Sequence, residues 1–142
     1  MSNSFGNFNR ALIEDLRANG GKPSGGPFKG RDVLILTTTG AKSGVPRENP
    51  LVYTRDGSQI VVVASKGGAP THPAWYHNLV AHPKVKVELG GETFEAKANV
   101  ATDAEYERLY KRHADINPSF HDYRARTTRK IPVVLLERFD AS

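Results

Sequence analysis

Apolar and polar residues alternate along much of the chain, and the period of that alternation predicts where the strands lie. Successive side chains of a strand point to opposite faces, so short alternating or continuous apolar runs between turns indicate strands. Glycine-containing turns at Arg55–Ser58 and Gly90-Gly91 each separate two such runs, which predicts antiparallel hairpins. Six segments fit the strand pattern: Asp32–Thr38, Glu48–Thr54, Gln59–Ser65, Lys84–Leu89, Glu92–Val100 and Ile131–Phe139.

Three further segments have apolar residues at helical spacing. The second of these helices runs from Pro73 to Ala81, and the third begins at Thr102, with the Ser/Thr-x-x-Glu spacing of a capping box and with His113 on its apolar stripe. The first is amphipathic and ends at Asn19-Gly20-Gly21; its apolar face holds Phe5, Phe8, Leu12 and Leu16.

The order of these elements predicts the fold class. Strands do not alternate regularly with helices, which disfavours a doubly wound parallel sheet. We therefore predict a mainly β fold with flanking helices, in which about six antiparallel strands close into a small barrel. The 142 residues divide into an N-terminal amphipathic helix with a flexible connector, residues 1–30, and a barrel domain, residues 31–142.

Composition narrows the classes of partner and site. Lys and Arg number 20 against 15 Asp and Glu, and this net charge of +5 favours an anionic cofactor, a membrane surface or nucleic acid, unless the excess has no functional meaning. The absence of cysteine excludes disulfides, thiolate catalysis and cysteine-ligated metals. No secretory signal or apolar run of about 20 residues is visible, so a cytoplasmic location is expected. Residues 5–17 are open to peripheral membrane contact, although packing against the barrel is the favoured role.

The segment Thr37–Arg47 has the composition of an anion-binding loop. It follows a predicted buried strand and contains four hydroxyl groups, two glycines, one lysine and one arginine. Hydroxyls, exposed backbone N–H groups and cationic side chains together suit a phosphate or another polyanion. The segment matches neither the phosphate loop of nucleotidases nor the nucleophile elbow of hydrolases. The alternative is an ordinary hairpin connection with its cations in solvent.

The segment Ser65–Asn78 also begins at a predicted strand end. Its glycines allow the backbone to approach a ligand, and the N-terminus of the helix that follows favours an anion. Trp75 is suited to stacking on a flat ring, or is simply a core residue. The histidines at positions 72, 77 and 82 would lie about 140° apart on a helix, so we predict no metal site. Residues 124–130 are basic but lack the stacking aromatics of a nucleic-acid surface, and we predict no nucleic-acid partner.

Three motifs in order carry a resemblance to a known family: Leu36–Leu51 with Gly40-Ala41-Lys42-Ser43-Gly44, then Val63–Leu79, then Arg126–Val133. From about Arg31 to Glu137 the chain resembles the deazaflavin-dependent nitroreductase family of actinobacteria, also called F420-dependent quinone reductases. The resemblance implies the FMN-binding-like split β-barrel of that family. It also implies coenzyme F420, whose phosphate and poly-glutamate tail form a polyanion, in its reduced form as hydride donor.

The resemblance also implies site residues. Lys42, Ser43, Gly44 and Arg47 match the loop that binds the phosphate region, whereas the stretch from Ala64 to Gly68 matches the border of the deazaflavin ring. Lys66 would add a cationic contact, and the helix with Trp75 would support the ring wall. The complete implied set is Thr39, Lys42, Ser43, Gly44, Arg47, Pro50, Ala64, Ser65, Lys66, Gly67, Gly68, Trp75, Tyr76 and Asn78.

The implied reaction is hydride transfer to a small, planar, electron-poor acceptor: a quinone, a coumarin-type unsaturated lactone or a nitroaromatic. Tyr123 or solvent would supply the proton. Residues 118–126 hold fewer tyrosines than the same region of nitroimidazole-activating relatives, which counts against nitro-prodrug activation. The alternative is a non-catalytic F420 carrier or an FMN-binding split-barrel protein. Monomer and homodimer both remain open.

Overall fold

A computed structural model describes the backbone of residues 4–26 and 28–139, and the side chains of these ranges from residue 9 onward. The predicted apolar positions Phe5 and Phe8 therefore lie outside the described side chains. The helices are α1 (Ser4–Ala18), α2 (Ala74–Ala81), α3 (Asp103–Ile116) and α4 (Ser119–Ala125). The strands are β1 (Val33–Thr39), β2 (Pro46–Val52), β3 (Thr54–Asp56), β4 (Gln59–Val63), β5 (Lys84–Leu89), β6 (Glu92–Val100) and β7 (Val133–Arg138).

The strands form one antiparallel sheet in the order β2-β1-β5-β6-β7-β4-β3. This arrangement confirms the predicted mainly β fold with flanking helices. The described part of the chain has seven strands where about six were predicted, because the segment Glu48–Thr54 is interrupted at Tyr53. The Tyr53 N–H donates to the Asp32 carbonyl at 3.0 Å, next to the last residue pair of β1 and β2, whereas Thr54 already pairs with Val61 of β4. Strand β3 therefore takes residues that were predicted as turn, and the turn shrinks to Gly57-Ser58.

Both sides of the sheet are buried, which explains the continuous apolar runs of the central strands. In β1, Val33 and Ile35 pack into one hydrophobic cluster, whereas Leu34 and Leu36 pack into a second one on the opposite side. Helices α1, α3 and α4 cover the first cluster, and α2 covers the second with Trp75 and Leu79.

Helix α1 is joined to the sheet at its C-terminal end. Its apolar residues Leu12, Ile13 and Leu16 are buried in the first cluster. Arg17 forms ion pairs with Glu48 of β2 and with Glu88 of β5, the latter at 2.7 Å. Among the helices that the structure describes, none has the length and apolar composition to cross a membrane.

The later helices differ from the sequence-based expectations in two respects. Thr102 is the N-cap residue of α3, as the capping-box spacing predicted, but its side chain makes no capping hydrogen bond. Helix α4 was not predicted, because its seven residues bury only Phe120 and therefore show no apolar stripe. The centroid of the Phe120 ring lies 4.4 Å from that of the His113 ring. The Tyr110 hydroxyl donates to the Phe120 carbonyl at 2.6 Å.

Candidate functional site

A cleft of about 1260 Å³ lies between α1, the loop that joins β1 to β2, and the first turns of α2. Helix α1 contributes Asn9, Arg10, Ile13, Glu14 and Arg17 to its wall. Five residues of the implied cofactor set line it from the other side: Lys42, Ser43, Arg47, Trp75 and Asn78. The structure therefore brings part of the set together around one cavity, and α1 is its opposite wall.

Two glycines shape the backbone of the β1–β2 loop. Gly40 and Val45 are joined by a hydrogen bond from the Gly40 N–H to the Val45 carbonyl at 2.9 Å. A Cβ at Gly40 would crowd the Ser43 hydroxyl oxygen, which itself accepts from the Val45 N–H at 3.1 Å. Gly44 adopts a positive φ of 70°. This turn leaves the Lys42 and Arg47 side chains exposed at the cleft.

Asn78 holds that loop against α2. Its amide oxygen accepts from the Ala41 N–H at 3.0 Å, and its amide nitrogen donates to the Thr38 hydroxyl at 3.1 Å. The side chain is buried and its amide is engaged at both ends. We therefore interpret Asn78 as a residue that positions the loop.

The cleft is electropositive. Its wall carries five basic side chains, Arg10, Arg17, Lys42, Arg47 and Lys86, against the two carboxylates of Glu14 and Glu48. Arg17 is shared between Glu48 and Glu88, whereas the other four basic residues make no ion pair within the described residues. Thr37 also lines the cleft, and its buried hydroxyl has no hydrogen-bond partner in the part of the chain that the structure describes. This donor set suits a polyanionic ligand.

The other nine residues of the implied set do not line this cleft: Thr39, Gly44, Pro50, Ala64, Ser65, Lys66, Gly67, Gly68 and Tyr76. Five of them, at positions 64–68, follow β4 and include a 3-10 turn at Lys66–Gly68. The φ angles of Lys66, Gly67 and Gly68 are 47°, 63° and 82°, and Lys66 is the only non-glycine with positive φ among the described residues. Such a conformation costs a non-glycine residue about 1–2 kcal/mol, so neighbouring structure must hold it.

Helix α4 is one of the elements that hold this turn. A Cβ at Gly68 would stand 2.7 Å from the Tyr123 carbonyl oxygen, so the α4 backbone lies directly against the turn. The half-buried Tyr123 ring packs at 5.2 Å from the Phe120 ring and below the Arg126 guanidinium. Tyr123 thus lies beside the turn at Lys66–Gly68 and is absent from the wall of the α1 cleft.

His72 and His77 lie closer together than positions about 140° apart on one helix would be. His72 precedes the helix, so helical geometry does not apply to it, and its ring centroid is 5.7 Å from that of His77. Its Nδ1 lies 2.7 Å from an Arg129 guanidinium nitrogen, and burial followed by the Arg129 charge lowers the pKa of His72. Within the described residues, no group of three or more potential ligands is placed to hold a metal ion.

The set of site residues implied by the resemblance does not include Arg10, Lys86 and Arg129, although Arg129 is part of the third motif, Arg126–Val133. Lys86 reaches the cleft because β5 pairs with β1, which sets it opposite Thr37. Arg10 is on the polar face of α1, where its contribution depends on how that helix is docked. Arg129 was assigned to a basic surface segment. The alternation within β5 separates Lys86 from the apolar face of that strand. No local pattern indicates that β1 is the strand beside β5.

The chain is similar to several known proteins. The family model described as F420H(2)-dependent quinone reductase matches residues 8–138. An F420H(2)-dependent quinone reductase of Mycobacterium tuberculosis is 45% identical over 108 residues, which are 74% of this chain and 72% of that protein. A solved structure of an F420-H2 dependent reductase has a TM-score of 0.69 and 38% identity, covering 75% of this chain and 95% of its own. Another solved structure, described as a domain-swapped dimer, has a TM-score of 0.70 and 31% identity. The match covers 94% of this chain and 98% of that one. These likenesses confirm the predicted split-barrel fold.

Proposed function

This chain belongs to the F420H(2)-dependent quinone reductase family, and we propose that it transfers a hydride from reduced F420 to a small planar acceptor, with quinones as the first substrate class. The observation that carries the proposal is the electropositive cleft between α1 and the β1–β2 loop. Reduced F420, when bound, supplies the hydride. The chain supplies binding, orientation and a site from which water is displaced.

The donor set of the cleft fits the anionic part of the cofactor. Lys42 and Arg47 are exposed on a loop that Asn78 holds in place, and Arg10 and Lys86 face the same cavity. A charge-assisted hydrogen bond contributes about 1.5–3 kcal/mol, so several such contacts suffice for tight binding. We propose that these four side chains bind the phosphate and the glutamate carboxylates.

The turn at Lys66–Gly68 is proposed as the support for the flat ring. A Cβ at Gly67 would meet no atom within 4 Å, which indicates open space beside the backbone. Trp75 adds an aromatic surface between the cleft and the second hydrophobic cluster. Backbone atoms without a side chain allow a planar ring to approach closely.

Few reactive side chains are needed for this chemistry. Hydride transfer depends mainly on the alignment of the two reacting rings, so the absence of a nucleophile motif from the sequence accords with it. We propose that Tyr123 or solvent protonates the reduced acceptor. A Tyr123→Phe variant that keeps full turnover would assign this proton to solvent.

The acceptor range is proposed from the aromatic residues of α4. Phe120 is buried against His113, which leaves the half-buried Tyr123 as the aromatic side chain of this helix beside the turn. A pocket with so few tyrosines favours quinones and coumarin-type lactones over nitroaromatics. Turnover of menadione, a coumarin and a nitroimidazole under the same conditions ranks the three classes.

The decisive experiment is a titration of the purified protein with oxidised F420 and with FMN, followed by addition of menadione to the reduced complex. F420 binding with acceptor-dependent return of the deazaflavin absorbance is the expected result. Binding without reoxidation by any acceptor class would replace the reductase with a carrier, and preference for FMN would overturn the cofactor assignment.

A paired variant tests the placement of the anionic part. Lys42→Ala with Arg47→Ala should lower the affinity for F420 at least about tenfold, since each substitution removes a charge-assisted contact. Lys29→Ala with Lys97→Ala removes the same charge from exposed positions outside the cleft and serves as the control. Equal affinities for the two double variants would mean that the phosphate does not bind at this loop.

A further inference from the structure

Arg129 lies in the connection between α4 and β7. Its guanidinium faces four hydrogen-bond acceptors, all in one segment that is distant in the sequence. It donates to the carbonyls of Ala64 at 3.1 Å, Ser65 at 2.8 Å and Ala69 at 3.0 Å. A fourth N–H points at His72 Nδ1, at 2.7 Å. One planar group thus joins the two ends of the segment from Ala64 to His72.

This arrangement requires an arginine. A guanidinium presents five N–H donors in one plane, whereas a lysine ammonium presents three donors from a single atom. Burial lowers the pKa of the half-buried Arg129, yet in the described part of the chain no carboxylate pairs with it. Its hydrogen bonds therefore go to backbone carbonyls and an imidazole, so its contribution is to backbone geometry.

The segment that Arg129 spans contains the left-handed turn at Lys66–Gly68. Ser65, the residue before this turn, and Ala69, the residue after it, both offer their carbonyls to the same guanidinium. Helix α4 closes the turn from another side through Gly68. With both flanks held by one rigid plane, the turn cannot shift without breaking several hydrogen bonds together.

Arg129 also fixes the tautomer of His72. Arginine only donates, so Nδ1 of His72 is an acceptor and the proton of the neutral ring is on Nε2. The rings of Tyr76, at 4.8 Å, and His77, at 5.7 Å, are its aromatic neighbours. The state of this imidazole therefore reports on whether the guanidinium is in place.

We propose that Arg129 is a positioning residue for hydride transfer, which fixes the backbone of residues 65–69 and thereby the place of the cofactor ring without touching the reacting atoms. This inference rests on the proposed function. It differs from the proposal for Lys42 and Arg47 because it concerns the ring end of the site.

The test compares Arg129→Gln and Arg129→Lys with Arg112→Gln. Arg112 is exposed on α3 and donates to one distant backbone carbonyl, that of Arg55 at 2.9 Å, so its loss is a matched change away from the turn. Affinities are measured for oxidised F420 and for its ring-and-ribityl fragment, which lacks the phosphate and glutamates. Turnover with reduced F420 and menadione gives kcat.

Both Arg129 variants should lower the affinity for the fragment and for F420 by a similar factor, at least fivefold, and should lower kcat at least tenfold. Lys42→Ala should weaken F420 binding and leave fragment binding unchanged. In the protein without cofactor, the amide hydrogens of Gly68 and Ala69 donate to the Ser65 and Lys66 carbonyls, and their exchange should accelerate at least tenfold in both Arg129 variants. The nitrogen chemical shifts of His72 should lose the single Nε2–H tautomer. Arg112→Gln should change none of these.

Three results would overturn the inference. Fragment affinity and kcat equal to those of Arg112→Gln would show that the ring does not depend on Arg129. Faster exchange of the Gly68 and Ala69 amides with unchanged affinity and kcat would show that Arg129 holds the turn but that the turn is not the ring support. Full rescue by Arg129→Lys, the variant that keeps the charge, would show that charge rather than the planar fork matters. A wild-type protein that binds no F420 would instead refute the proposed function itself.

Discussion

Acid should destabilise this fold through one buried side chain, His113. This residue of α3 is 0% exposed, and its Nδ1 lies 3.0 Å from the Thr54 hydroxyl. Its Nε2 is buried without a hydrogen-bond partner among the described residues, beside the Phe120 ring. A proton added here would create a charge that nothing compensates, and burial lowers the pKa of His113 from 6.5 to about 4.

The direction and size of the effect follow from linkage. The folded-state pKa lies below the unfolded value, so the unfolded chain binds the proton more readily. Stability from this group is fully present above pH 6.5 and is lost as the pH falls towards 4. Between pH 7.5 and pH 4.5 the loss amounts to about 2–3 kcal/mol, given about 1.4 kcal/mol for each pKa unit.

Urea unfolding of the wild type and of His113→Gln, at pH values between 7.5 and 4.5, tests this reasoning. The variant should be less stable at pH 7.5, and the gap in the free energy of unfolding should shrink by about 2–3 kcal/mol at pH 4.5. Carboxylates such as Glu88, whose pKa the Arg17 hydrogen bond lowers, titrate alike in both proteins and cancel. His121→Gln, at an exposed histidine, is the control. A gap of constant size across the pH range would refute the assignment to His113.

Three further substitutions test the elements around the site. Gly68→Ala should lower the free energy of unfolding by about 1–3 kcal/mol in urea, because the new Cβ would stand 2.7 Å from the Tyr123 carbonyl oxygen; Gly67→Ala, with open space around its Cβ, should cost less. Asn78→Ala should cost about 1–3 kcal/mol and weaken F420 binding measured by fluorescence, since two hydrogen bonds to the loop are lost. Glu88→Gln should speed amide exchange in α1, more at low salt than at high salt, since it removes a partner of Arg17; an effect independent of salt would contradict an ionic origin.

Local periodicity predicted most of the sheet, because its signal is written into each segment. The bounds predicted for Lys84–Leu89 and Glu92–Val100 are those of β5 and β6, where alternation and a Gly-Gly turn coincide. The order of the strands in the sheet could not be predicted from the sequence. The pairs β1–β5 and β4–β7 join segments that are distant in the chain, and nothing in the local pattern of one strand specifies its partner.

The candidate site likewise contains one part that the sequence predicted and one part that it did not. The segment Thr37–Arg47 was predicted as an anion-binding loop from its composition, because glycines, hydroxyls and cations concentrate in it, and several of its residues line the cleft. Arg129 showed no such signal, since its acceptors lie 57 to 65 positions away and are mostly backbone carbonyls. A side chain that acts on the backbone of another segment is recognisable only when the two segments are brought together.

The two ends of the proposed site differ in how firmly they are held, and the physics of the tasks proposed for them accounts for the difference. Coulomb attraction falls slowly with distance, so exposed and flexible side chains such as Lys42 and Arg47 can attract a polyanion without a fixed geometry. Hydride transfer depends steeply on the distance and alignment of two rings, which flexible side chains cannot guarantee. The turn at Lys66–Gly68 is accordingly held by backbone contacts, with α4 on one side and the Arg129 guanidinium at both flanks. A substitution that loosens this turn should therefore reduce kcat more than it reduces affinity for the whole cofactor, whereas a substitution in the β1–β2 loop should do the reverse.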